Sequence, residues 1–262
     1  GADLIVIGEG EQTMLEIVKF EVRSLKFEES NAPGGRYAKG VSSSELHLET
    51  PGSNFKLQTS NSKFQSIPGL AYLLPDGSLH RTAPRQKLRE LDELPLPNRQ
   101  KIDLQQYLDA WKKAHGHSAI SVSTQRGCPY TCKWCSTAVY GQSYRRRSPA
   151  AVVDEIAWLQ AHYNFDLIWF VDDVFTVSHK WLSAFRDELQ RRQVNVRFEC
   201  ITRADRLDEA AIQILKSCGC FRVWIGAESG SQRIIDAMDR RVDVQQVRAM
   251  IRATRSAGIQ AG

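Results

Sequence analysis

The sequence predicts an α/β fold built on a parallel sheet. Three observations carry this. Apolar strand-length runs alternate with helical apolar periodicity from about residue 119 onward. Helix starts recur at Ser148, Ser178, Asp208 and Asp243, each a residue type that caps helices. Helix ends recur at Gly219 and Gly258. Strand and helix in strict alternation imply βα units, whose right-handed crossovers gather every strand's C-terminal end on one face.

Each element has its own signal. Leu4–Ile7 reads as a strand, Gly8-Glu9-Gly10-Glu11 as a tight turn, and Met14, Leu15, Ile17 and Val18 as one side of a helix. The third glycine of a dinucleotide fingerprint would fall at Thr13, so that motif is excluded. Residues 28–66 are rich in Ser, Gly and Asn and read as a loop or connector. Gly69–Leu74 and Ser78–His80 read as strands joined by the preset turn Pro75-Asp76-Gly77. Leu94-Pro95-Leu96-Pro97 is extended, because each proline pushes its predecessor out of helical space. A domain boundary is placed near residue 105.

Beyond it, Ala119–Ser123 is the first strand of the alternating region. Ser148 opens a helix with Pro149 in its first turn and Val152, Ile156, Leu159 and Tyr163 along one face. Leu167–Val171 is a buried strand. Ser178 opens the next helix, with Trp181, Leu182, Phe185 and Leu189 inward. Val194–Cys200 is a third strand, and Asp208 caps a helix carrying Ile212 and Leu215. Phe221–Ile225 is a fourth strand, followed by a short helix with Ile234, Ile235 and Met238. Asp243 caps the last helix, with Val247, Met250 and Ile251, and Ile259 begins a fifth strand.

Composition narrows the class. The 262 residues carry a net charge of +5. The 42% hydrophobic content supports a packed core. The uninterrupted apolar runs are far shorter than the roughly 20 residues of a membrane span, and no secretory signal is visible. The densest charge cluster, Arg145-Arg146-Arg147, reads as a solvated turn before a helix, with an anion contact as the alternative.

The six cysteines carry the chemistry. Cys128, Cys132 and Cys135 form a C-x3-C-x2-C loop directly after the first strand of the alternating region. Clustered cysteines in a long chain without a signal point to a metal in a reducing compartment, not to a disulfide scaffold. A structural zinc site wants a fourth ligand, and His115 and His117 lie at the opposite end of that strand. Three thiolates suit an iron–sulfur cluster with one iron left open. Zinc and coincidence remain as alternatives on spacing alone. Cys200, Cys218 and Cys220 lie outside the motif and read as buried core residues.

This loop, with Trp134 before its last cysteine, resembles the radical S-adenosylmethionine superfamily. The resemblance extends to Arg126-Gly127-Cys128-Pro129, Tyr144-Arg145-x-Arg147-Ser148-Pro149, Val171-Asp172-Asp173, Thr202-Arg203-x-Asp205 and Gly226-x-Glu228-Ser229-Gly230. With Gly8-Glu9-Gly10-Glu11 and Leu91-Asp92-Glu93-Leu94-Pro95, these are similar to the subgroup in which a cobalamin-binding domain precedes the radical core.

The resemblance implies a partial (βα)6 barrel over residues 106–262, with four strands and the start of a fifth. It implies a connector with a β-hairpin over 21–105, and over 1–20 the tail of a Rossmann-like cobalamin-binding domain. The chain then reads as a piece of a longer enzyme. Cys128, Cys132 and Cys135 are expected to hold a [4Fe–4S] cluster whose open iron is chelated by S-adenosylmethionine, and one electron then yields a 5′-deoxyadenosyl radical. Asp172 or Asp173 would accept from the methionine ammonium. Arg203 would pair with its carboxylate, with an ion pair to Glu199 or Asp205 as the plainer reading. Glu228 would accept from the ribose hydroxyls, with Ser229 beside it, and Trp134 would pack on adenine; the plainer readings are a helix cap or surface pair for the two aspartates, a buried structural carboxylate for Glu228 and core packing for Trp134.

Cobalamin is implied for the subgroup, its ligating segment lying upstream. Cobalamin-associated methyl transfer or oxidative cyclisation of a small-molecule substrate is the expected outcome. A flavodoxin or ferredoxin is the expected electron donor, in the cytoplasm, with no nucleic-acid partner. One rival is a methylthiotransferase-like RNA modifier, though no cysteine precedes Cys128. The other is a non-catalytic iron–sulfur or zinc module.

Overall fold

The computed structural model describes residues 4–19, 64–136 and 140–262. Most of the 28–66 connector therefore lies outside the described residues. The chain divides into two compact units, residues 1–87 and 88–262.

In the first unit, β1 (Leu4–Val6) pairs antiparallel with β2 (Leu70–Leu73), and β2 with β3 (Leu79–Arg81). Helix α1 covers 10–19. The β2–β3 turn is the one predicted: Asp76 Oδ1 accepts from Ser78 N at 2.9 Å, and Gly77 sits at φ +83°. Ile17, Phe64, Ile67, Leu70 and Tyr72 close a small core. Arg85 fastens α1 through Glu16 and Thr13, both at 2.6 Å.

The second unit begins earlier than the expected boundary near 105. Residues 88–103 belong to it because their polar groups are committed there. Asp92 accepts from Ser148 N, Leu88 O accepts from Arg145, and Arg99 pairs with Glu155 at 2.7 Å. Helix α2 (Leu104–His115) follows, capped by Asp103. Its pattern gave no warning, because only Leu108 is buried while Tyr107 and Trp111 face outward.

The parallel sheet then builds strand by strand. β4 (Ala119–Val122) is followed by the two-residue strands β5 (Gln125–Arg126) and β6 (Arg145–Arg146), which pair antiparallel with each other. Then come α3 (Pro149–His162), β7 (Leu167–Phe170), α4 (His179–Arg191), β8 (Phe198–Thr202) and α5 (Glu209–Ser217). The chain continues through β9 (Cys220–Ile225), α6 (Gln232–Ala237), α7 (Val244–Ser256) and β10 (Gln260–Ala261). The sheet order is β4-β7-β8-β9-β10, all parallel, so each strand lies beside its predecessor as in a partly built barrel.

The four sequence-predicted caps all form. Ser148, Ser178, Asp208 and Asp243 accept from backbone N–H groups of the first turns of α3, α4, α5 and α7. The third strand starts at Phe198, not at Val194. Gln193 turns the chain at φ +56°, and Val194 N still donates to Leu189 O of α4. One sheet face packs on the helices: Phe170, Phe175, Phe185 and Phe198 meet ring to ring, beside Ile156, Leu159 and Leu182. No helix among the described residues is long and apolar enough to cross a membrane.

Asp166 ties α2 to the start of β4. It pairs with Lys112 at 2.8 Å and accepts from Ser118 N and Oγ. These partners, Lys112 foremost, pull its pKa down to about 2. The folded pKa lies below the unfolded value, so the contribution is present above about pH 4 and is lost as pH falls toward 2. Melting followed by circular dichroism should show this acid limb, and Asp166→Asn should flatten it. An unchanged acid limb in the variant would contradict the assignment.

Candidate functional site

The C-terminal ends of the strands carry the cysteine loop and the other candidate residues on one face, as βα topology requires. Gly127, at φ +80°, delivers the chain into the loop. A Cβ there would meet Ser143 O at 2.5 Å, so the approach of the two backbones needs glycine. Cys135 N donates to Cys132 O, and Lys133 N donates to Met238 O at 3.0 Å, pinning the loop to the end of α6. Residues 137–139 lie outside the described residues.

Cys128, Cys132 and Cys135 are free thiols, the first two half-buried and the third exposed. Burial pushes the Cys128 and Cys135 thiols up, and Asp173 and neighbouring thiols of the loop push them the same way. Cys200, Cys218 and Cys220 are buried, as expected, and burial raises Cys218 to about 12. Among the described residues, no three His, Cys, Asp or Glu side chains converge on a single-ion site. The fit to a cluster rests on donor chemistry: three soft thiols on one pinned loop, accessible from the strand-end face and faced by a guanidinium.

That guanidinium is Arg203, just after β8. Its Nη1 donates to Cys132 Sγ at 3.4 Å. Asp205 takes Nε and Nη2 at 2.8 and 3.1 Å, Arg240 O takes Nη2 at 2.7 Å, and the Tyr130 ring lies 4.0 Å away. Arg203 is 4% exposed. Its Nε and Nη2 edge pairs with Asp205, which is one of the two ion pairs given as the plainer reading. The sequence pointed to Arg203-x-Asp205 but not to Cys132, Tyr130 and Arg240 as the rest of its setting.

Asp172 lies deeper than Asp173. It is 2% exposed. One oxygen accepts from Thr124 N and Gln125 N at 2.7 and 3.0 Å, and the other meets the Thr124 hydroxyl and, at 3.7 Å, Arg146. Both oxygens are engaged within the protein, and the side chain fixes the β4–β5 turn that launches the loop. Asp173, the next residue, is exposed on the loop side, and partial desolvation pushes its carboxyl up.

The arginine triplet is not a solvated turn. Arg145 reaches Leu88 O, and Arg146 reaches Phe175 O and lies 3.5 Å over the Trp181 ring. Arg147 pairs with Glu155 and donates to Ser123 O. Glu228 adopts φ +58°, unusual for a residue with a side chain, and pairs with Arg240 at 3.2 Å. Gly226 lets Arg240 pass: a Cβ there would meet its Nη2 at 2.3 Å. Ser229 Oγ accepts from Ser231 N in the next turn. Trp134 is 53% exposed and lines an open hollow of about 370 Å³ with Ile234, Ala237 and Met238, so it is not core packing.

Fold and site together define a parallel α/β domain that presents a three-thiol loop at its strand ends. The sequence pattern of the Radical SAM superfamily matches residues 122–261, more than half the chain, and the chain belongs to that superfamily. Its cofactors are a [4Fe–4S] cluster and S-adenosylmethionine.

An uncharacterized methyltransferase, PH0819, of Pyrococcus horikoshii is 27% identical over 200 residues, covering 76% of this chain and 42% of the relative. An anaerobic magnesium-protoporphyrin IX monomethyl ester cyclase of Rubrivivax gelatinosus is 27% identical over 195 residues, covering 74% of this chain and 34% of the relative. The radical S-adenosylmethionine methyltransferase TsrM from Kitasatospora setae, solved with cobalamin and a [4Fe–4S] cluster, matches in fold. Its TM-score is 0.70 at 19% identity, over 99% of this chain and 46% of that one. The chain thus spans less than half the length of each.

Proposed function

We propose that this chain is the cofactor-binding part of a radical S-adenosylmethionine enzyme of the cobalamin-associated subgroup. One observation carries the reading: three free thiols on a pinned loop at the end of β4, inside the region that matches the superfamily. Cys128, Cys132 and Cys135 would hold the cluster. When bound, cluster and S-adenosylmethionine supply one-electron cleavage to a 5′-deoxyadenosyl radical that takes a hydrogen atom from a small-molecule substrate.

The chain's own residues bind and orient. Trp134 offers an exposed ring face to adenine. Asp173, exposed beside the loop, accepts from the methionine ammonium. Glu228, held by Arg240, accepts from the ribose hydroxyls, with Ser229 in the same turn. Asp172 and Arg203 stand behind this layer and hold its geometry. Residues 1–20 read as the tail of a cobalamin-binding domain, with the connector and its hairpin between that tail and the radical core.

The relatives' names support methyl transfer or oxidative cyclisation as the outcome. A flavodoxin or ferredoxin supplies the electron, and free thiols suit a reducing cytoplasm. The test is an anaerobic assay of the full-length gene product, reduced in the presence of S-adenosylmethionine. Release of 5′-deoxyadenosine is expected. A cluster-loaded protein that releases none contradicts the radical reading, and failure to retain cobalamin contradicts the subgroup.

A further inference from the structure

We propose that Arg203 sets the reduction potential of the cluster through its contact with Cys132. The proposal rests on the reading that the cysteine loop holds an iron–sulfur cluster. Its own support is the way this guanidinium is held. Two of its partners lie outside the loop: Asp205 takes Nε and Nη2, and Arg240 O takes Nη2; Tyr130, in the loop between Cys128 and Cys132, covers one face of the plane. The remaining nitrogen, Nη1, points at Cys132 Sγ, 3.4 Å away.

Such bracing decides what the residue can do. Asp205 and Arg240 O fix the plane, so Arg203 cannot swing out to follow a ligand. Burial strengthens the surviving N–H···S contact, because little solvent competes for it. Arginine keeps its charge at any working pH and offers donors in a rigid fork, unlike lysine. Arg206 is a useful contrast. It also lies over Tyr130, at 5.4 Å, and bonds the Tyr130 hydroxyl, but no contact joins it to a thiol of the loop.

The electrostatic sign is fixed. Reduction adds one electron to the cluster and so one negative charge. A cationic donor on a ligating sulfur stabilises the more negative state and raises the potential. Hydrogen bonds to cluster sulfurs and neighbouring charge are among the recognised determinants of that potential. Arg203 is thus a positioning residue that acts through Cys132.

The test is an anaerobic redox titration of the reconstituted protein, followed by electron paramagnetic resonance of the reduced cluster. Arg203→Gln should move the midpoint to more negative values. The expected effect on the reduction equilibrium is on the order of tenfold, about 59 mV for one electron. Arg206→Gln should leave the midpoint in place. Equal midpoints for Arg203→Gln and the parent, at equal cluster content, would overturn the proposal. So would an equal shift from both variants, which would mean general charge and not the thiol contact.

Should Arg203→Gln fail to fold, the parent protein carries the test. With 15N-labelled arginine, the reduced cluster should show a 15N hyperfine coupling, and its absence would also overturn the proposal. If the parent assembles no iron–sulfur cluster, the functional reading fails instead, and the two failures are distinguishable.

Discussion

Replacing any one of Cys128, Cys132 and Cys135 by alanine is expected to abolish cluster assembly and leave the fold intact. Two thiolates from one loop leave a second iron without a protein ligand, so bound iron should fall from about four per chain to near none. Activity should fall with it. The fold should hold because all three sulfurs lie at the accessible face and none belongs to the hydrophobic core. For Cys128 and Cys135 the cost should be about 0.5 kcal/mol or less; Cys132→Ala also loses the contact with Arg203, a further cost of about 1 kcal/mol. Cys200→Ala is the control in the other direction. That thiol is fully buried in the core, so stability should drop while iron content stays. Iron analysis and urea unfolding of the four variants separate the two classes. A loop variant that keeps its full iron would break the assignment.

The second large effect is expected at Asp172. Asp172→Ala removes the acceptor for Thr124 N, Gln125 N and the Thr124 hydroxyl, and strips the carboxylate from the nearly buried Arg146. Breaking a buried pair by deleting one partner costs about 3–5 kcal/mol, because the other charge stays buried without compensation. Asp172→Asn keeps the shape and one acceptor and should cost less. Both should also slow cluster assembly, since Asp172 fixes the turn from β4 into the loop. Urea unfolding measures the first effect and the rate of iron uptake the second. A loss below about 1 kcal/mol for Asp172→Ala, the worth of a single ordinary hydrogen bond, would refute the role.

The cysteine loop and Asp172 mark how far the sequence could be read. The cysteine loop was legible because its chemistry is local: three ligands within one turn-rich segment after one strand. The βα alternation was legible because Val152, Ile156 and Leu159, or Leu182, Phe185 and Leu189, repeat at helical spacing and are in fact buried. Helix α2 was not, since Tyr107 and Trp111 point outward and blur its buried side.

What failed was pairing between distant positions. Asp172 meets Thr124, 48 residues away, and Arg203 meets Cys132, 71 residues away. A carboxylate or guanidinium just past a strand does not announce protein partners that lie dozens of residues away. The arginine triplet misled for the same reason. A charge run reads as solvated, whereas Arg146 is covered by Asp172 and Phe175 from the β7–α4 loop and by Trp181 from α4.

Every cofactor role assigned to these residues requires that the loop bind an iron–sulfur cluster. The direct measurement is metal and sulfide content after anaerobic reconstitution with iron, sulfide and zinc all supplied. About four irons and four sulfides per chain, with no stoichiometric zinc, is the predicted result. Stoichiometric zinc with no iron uptake would contradict it.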